Sequence, residues 1–168
     1  MRILGISGSL QRKSGNALLL EAAAVALPAG VTFQVFDGLR DLPHFDPDIE
    51  KDGDAPGPVV ALRRAIAESD ALLIASPEYG HSLPGSLKNA IDWLIGSGEL
   101  ESKLVAITAA VPAKERGQLG LRALRDTLGA VSAHIVGGAP IARGPRFARE
   151  VAYLVVALVE ARTQLASD

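Results

Sequence analysis

Ala71-Leu72-Leu73-Ile74-Ala75 is apolar at every position. A strand with one wet face alternates, whereas a strand covered on both faces does not. The run therefore predicts a central strand in a sheet with helices on both sides. Ile3-Leu4-Gly5-Ile6 and Leu104-Val105-Ala106-Ile107 have the same character. Val31, Phe33 and Val35 instead alternate with Thr32 and Gln34, the pattern of an edge strand. His134-Ile135-Val136 supplies a fifth, shorter run.

Segments with helical period separate these runs. Leu18, Leu19, Ala22, Val25 and Ala26 predict the apolar face of a first helix, and Val59, Leu62 and Ile66 lie opposite Arg63, Arg64 and Glu68 on another. Leu87, Ala90, Ile91 and Leu94 form a third stripe, and Leu121, Leu124 and Leu128 a fourth. From Arg149 to Leu165, Val151, Leu154, Val155, Leu158 and Val159 face inward. Strands alternating with helices make βαβ units, and right-handed crossovers place helices on both faces of a parallel sheet. The expected fold is a three-layer α/β domain with a five-stranded parallel sheet of order 2-1-3-4-5. At 168 residues, positions 1–168 are expected to form a single domain. Pro43 to Pro58, with four prolines and five acidic residues, is expected to be loop.

Several function classes fall away. Seventeen Lys and Arg against nineteen Asp and Glu leave a formal charge of −2, so no long-range field draws in nucleic acid or an anionic membrane. Without cysteine there is no thiol chemistry, and any redox step needs a borrowed cofactor. No apolar stretch approaches the roughly 18 to 20 residues of a membrane span. Met1 to Ile6 is too short for a signal peptide, so a cytoplasmic protein is expected. His44, His81 and His134 have no ligand-like spacing, and no metal is expected.

In a sheet of this order, ligands bind beyond the carboxyl ends of the strands, where the winding reverses between the first and third. The loop after the first strand, "SGSLQRKSGN", runs into a helix starting near Asn16. Glycine turns, the hydroxyls of Ser7, Ser9 and Ser14, and a helix N-terminus make it an expected phosphate site. The competing reading is that Ser14 or Asn16 only caps the helix. The loop fits neither G-x-G-x-x-G nor the P-loop pattern, and Gly5-Ile6-Ser7-Gly8-Ser9 is no nucleophile elbow, since its fifth residue is serine. The loop after the third strand, "SPEYGHSLPGSLKNAIDW", turns at Pro77 and sends Tyr79 and nearby amides toward the same crevice. Glu78 reads as a group that fixes the loop, His81 as peripheral, and Trp93 as core or interface.

Together, "GSLQRKSGN" and "SPEYGHSLPGSLKNAIDW" resemble the NADPH-dependent FMN reductase family, which is flavodoxin-like. The resemblance implies an NAD(P)H-dependent oxidoreductase in which FMN carries the hydride at N5, with no catalytic side chain, working by a ping-pong cycle. Its acceptor would be free flavin, a quinone, an azo compound or a metal oxyanion. It implies that Ser9, Ser14 and Asn16, with the amide of Ala17, hold the FMN phosphate. Pro77, Glu78, Tyr79 and Gly80 would line the isoalloxazine, and Thr108 would edge the pyrimidine ring. Lys88, Asn89 and Asp92 match a helix that packs between subunits in the family, so a homodimer or homotetramer is implied. Gln11 stands where the family usually has arginine, so the phosphate or nicotinamide contact of that arginine is lost or shifted to Arg12, and Gly80 stands where the family has asparagine. "TAAVPAKERGQLG" replaces a glycine-rich third loop. The alternatives are a flavodoxin-type electron carrier, or a redox-sensing protein that has lost its flavin.

Overall fold

The computed structural model describes residues 1–51 and 55–167. Its strands are β1 (Arg2–Ser7), β2 (Thr32–Phe36), β3 (Ala71–Ala75), β4 (Leu104–Val111) and β5 (His134–Ala142). All neighbours pair in parallel, in the order β2-β1-β3-β4-β5. The helices are α1 (Gly15–Val25), α2 (Pro47–Lys51), α3 (Gly57–Ala67), α4 (Gly85–Ile95), α5 (Gln118–Ala130) and α6 (Phe147–Leu165), with a short 3-10 turn at Leu39–Asp41. The expected flavodoxin-like order is the observed one. Every residue of β3 is buried, as its unbroken apolar run requires.

The pleat sorts each central strand between two cores. Leu4, Ile6, Leu72, Ile74, Val105 and Ile107 face α3, α4 and α5, whereas Ile3, Leu73 and Ala106 face α1 and α6. On the first side Trp93 is fully buried, and truncating a core residue of that size costs about 3–5 kcal/mol. Its indole Nε1 donates to Pro43 O at 2.9 Å, and its ring meets Phe45 edge-on at 5.1 Å. Asn89 holds the same segment, donating to Pro43 O and accepting from Phe45 N.

Four features differ from the sequence expectation. The buried face of α1 is Asn16, Leu19, Leu20 and Ala23, while Leu18 and Val25 point outward. "ALLLEAAAVA" is apolar nearly all round, so periodicity alone does not fix its phase. β4 continues through Thr108 to Val111, so the first residues of the expected third loop are strand. β5 runs on to Ala142: Gly137 and Gly138, both at positive φ, absorb a bulge between Ile107 and Ala109, and pairing resumes at Pro140. Within the expected loop Pro43 to Pro58, Pro47–Lys51 is helical and α3 begins at Gly57, while residues 52–54 lie outside the described residues. Among the described residues, no helix is long and apolar enough to cross a membrane, and no group of three or more His, Asp or Glu side chains could hold a metal ion.

Candidate functional site

The carboxyl ends of β1 and β3 lie side by side, with Ser7 opposite Ala75. Gly8 N continues the ladder by donating to Ala75 O at 2.9 Å, and Ser76 N donates to Thr108 O at 2.9 Å. The loops after β1 and β3 are thus stitched together at the root, over the end of β4.

In the β1–α1 loop, Ser9 Oγ accepts from Gln11 N at 3.2 Å. Ser14 is the N-cap of α1, and its Oγ accepts from Ala17 N at 3.0 Å. Asn16, buried in the first turn, accepts from Ala110 N through Oδ1 at 2.9 Å. Each of these side chains uses an oxygen as acceptor within the protein. Each keeps a proton donor, the hydroxyls of Ser9 and Ser14 and the Nδ2 of Asn16, that has no acceptor among the described residues. The amides of Gly15 and Asn16 lie in the first helical turn, where no intrahelical acceptor exists. Ala17 is different, because its amide is engaged by the Ser14 cap. The capping reading of Ser14 is therefore correct as far as it goes, and it leaves the hydroxyl proton in place.

Gln11 and Arg12 are exposed, and with Ser9 and Arg40 they line a cleft of about 470 Å³ on the β2 flank of the loop, floored by Leu20 and Phe33. Arg40 lies in the 3-10 turn after β2 and donates through Nη2 to Leu10 O at 2.6 Å, which braces the loop from outside. Nothing in the sequence spacing pointed to Arg40; only the packing of the β2 connection against the loop brings it there.

The loop after β3 is a tight turn. Tyr79 and Ser82 exchange both backbone hydrogen bonds at 3.0 Å around Gly80 (φ +56°) and His81 (φ +62°). Two central residues at positive φ are the geometry of a type I′ turn. Asparagine and glycine both tolerate that conformation, so Gly80 keeps the backbone path available to the family's usual asparagine. Pro77 is half-buried and Tyr79 is exposed. Glu78 points its carboxylate at α5, with Oε2 accepting from Gly120 N at 2.9 Å. Thr108 is fully buried, its hydroxyl donating to Ala139 O at 2.9 Å. It supports the crevice from below, and the residue of β4 nearer the loops is Ala110.

The family model for NADPH-dependent FMN reductase matches residues 1–145. An NAD(P)H-dependent FMN reductase of Pseudomonas aeruginosa is 37% identical over 138 residues, covering 80% of this chain and 72% of that one. A quinone reductase of Escherichia coli strain K12 is 34% identical over 94 residues, covering 56% of this chain and 50% of the relative. The match thus spans about half the length of that relative. Among solved structures, the flavoenzyme NAD(P)H:(acceptor) oxidoreductase FerB of Paracoccus denitrificans has a TM-score of 0.84 at 26% identity, covering 97% of both chains. Flavodoxin 1 of Bacillus cereus, at 13% identity and a TM-score of 0.67, shares the fold. With the family model spanning both crevice loops and all five strands, the chain belongs to the NADPH-dependent FMN reductase family.

Proposed function

We propose that this chain is an FMN-dependent NAD(P)H oxidoreductase, with residues 1–168 acting as one flavin-binding domain. When bound, FMN supplies the N5 that takes hydride from NADPH or NADH and passes reducing equivalents on. The observation that carries the reading is the set of unengaged donors on Ser9 in the β1–α1 loop and on Ser14 and Asn16 at the N-terminus of α1. An array of donors with its acceptors already occupied suits an acceptor-only anion, and a phosphate monoester is one. A hydrogen bond to a charged group contributes roughly 1.5–3 kcal/mol, so three donors and the helix terminus hold a dianion without a cation at position 11.

The remaining residues divide by reach. Pro77, Tyr79 and Gly80 offer backbone at the crevice, where the isoalloxazine edge is expected, and Ala110 borders it from β4. Arg12, exposed beside the phosphate loop, serves the phosphates of the nicotinamide co-substrate. The printed names of relatives, quinone reductase and FMN reductase, support a small-molecule acceptor such as a quinone or free flavin. The reading includes a ping-pong cycle, a homodimer or homotetramer, and a cytoplasmic location. Against a flavodoxin-type carrier stands the crevice loop itself: between β3 and α4, Tyr79 is the one Phe, Tyr or Trp side chain, and a single such ring cannot sandwich a flavin.

The test is direct. The purified chain mixed with FMN should oxidise NADH or NADPH when a quinone is supplied, with parallel lines in double-reciprocal plots. Sequential kinetics would contradict the ping-pong cycle, and absence of turnover with every acceptor class would contradict the enzyme.

A further inference from the structure

The crevice loop after β3 is held at a second point, far from its own strand. Glu78 Oε2 reaches Gly120 N, 42 residues along the chain, in the first turn of α5. That helix starts from Gly117, at φ +83°, whose position supplies no capping side chain. The Glu78 carboxylate therefore caps α5 from outside: it satisfies a first-turn amide and sits at the positive end of the helix dipole. The fit is close. A Cβ on Gly120 would come within 2.9 Å of Glu78 Cβ, 3.0 Å of Glu78 Cα and 3.1 Å of Ser82 O, so it would press on loop backbone with no freedom to swing aside. One residue after Glu78, the chain enters the double-bonded turn from Tyr79 to Ser82.

We propose that Glu78 is a positioning residue whose carboxylate is engaged by α5 and makes no contact with the flavin. Together with the side-chain-free surface of Gly120, it sets the path of the Pro77–Gly80 backbone and presents it to the cofactor already formed. This rests on the reading of the crevice as the FMN site, and it adds the means by which the loop is held. Because α5 follows directly on β4, the same contact joins the second and third loops of the crevice into one body.

The test uses the full-length, flavin-free chain in two measurements, FMN titration and amide hydrogen exchange. E78A should weaken FMN binding by about tenfold, whereas E78Q, whose Oε1 still accepts from Gly120 N, should stay within about threefold of wild type. G120A should weaken binding comparably to E78A. The double variant should be little worse than either single one, since both remove the same contact. Exchange at Tyr79, Ser82 and Gly120 should quicken in E78A, with the central strands unchanged. FMN affinity in E78A equal to wild type, E78Q as weak as E78A, or losses that multiply in the double variant would each overturn the proposal. Should E78A fail to fold, E78D, one methylene too short to reach α5, replaces it in the same comparison. A wild-type chain that binds no FMN contradicts the flavin reading alone, and the exchange contrast then still decides whether Glu78 holds the loop.

Discussion

Asn16 Oδ1 accepts the amide of Ala110 at 2.9 Å across 94 residues of chain, joining the first turn of α1 to the end of β4. The bond ties the β1–α1 loop to the third side of the crevice, and with the proposed phosphate contact it gives Asn16 two separable jobs. N16A removes the partner of the part-buried Ala110 amide and should cost about 1 kcal/mol of stability, read by denaturant unfolding. N16D keeps the acceptor for Ala110 but loses the Nδ2 donor and adds a negative charge beside the phosphate. It should retain most of the stability and lose FMN affinity by tenfold or more on the order expected for a charged hydrogen bond. If N16D binds FMN as wild type does, Asn16 is structural only.

Ser14 has the same dual character. S14A removes the N-cap of α1 and should cost about 1 kcal/mol by thermal or denaturant unfolding. S9A/S14A together remove two hydroxyl donors and should weaken FMN binding at least roughly tenfold. Undiminished affinity in that double variant would put the phosphate elsewhere.

His81 holds φ +62° in the turn after β3, a conformation that costs a side chain with a Cβ about 1–2 kcal/mol. H81G should therefore raise the melting temperature by roughly 2–4 °C, a gain of about 1 kcal/mol. Calorimetry gives the answer, and a fall in melting temperature would mean that the His81 side chain makes a compensating contact.

Lys103, at the opposite end of the sheet, donates to Ile66 O and Ser69 O, and burial holds its ammonium below the ordinary lysine range. Between its folded value and 10.5 the unfolded chain carries the extra proton, so stability from this group rises with pH across that window. Below it both states are protonated, and the penalty is constant. The unfolding free energy of wild type minus that of K103M should therefore increase as pH climbs toward 10.5. A flat difference would contradict the shift.

The layers and strand order were readable because β3 and β4 are apolar at successive positions and β2 is not, which separates central from edge strands before any contact is known. Glycine-interrupted strands were less legible: the run at His134 stops at Gly137-Gly138, yet the chain pairs again beyond them. The helix α2 left a signal, Asp46 before Pro47, with Asp46 Oδ1 accepting from Asp48 N at 2.9 Å, in a stretch whose prolines argued for loop. For the site, both crevice loops could be located from their residues. What could not be read was the partner of each side chain. Bonds such as Asn16 to Ala110, Glu78 to Gly120 and Arg40 to Leu10 join residues 30 to 94 positions apart, and local spacing carries no trace of them.

A phosphate cradle in the β1–α1 loop is tested most directly by a paired titration of the flavin-free chain with FMN and with riboflavin. The two ligands share the ring and the ribityl chain and differ by the phosphate. Donors on Ser9, Ser14 and Asn16 predict that FMN binds at least roughly a hundredfold more tightly, a difference of about 2.7 kcal/mol. Equal affinity for the two would mean that the loop holds no phosphate.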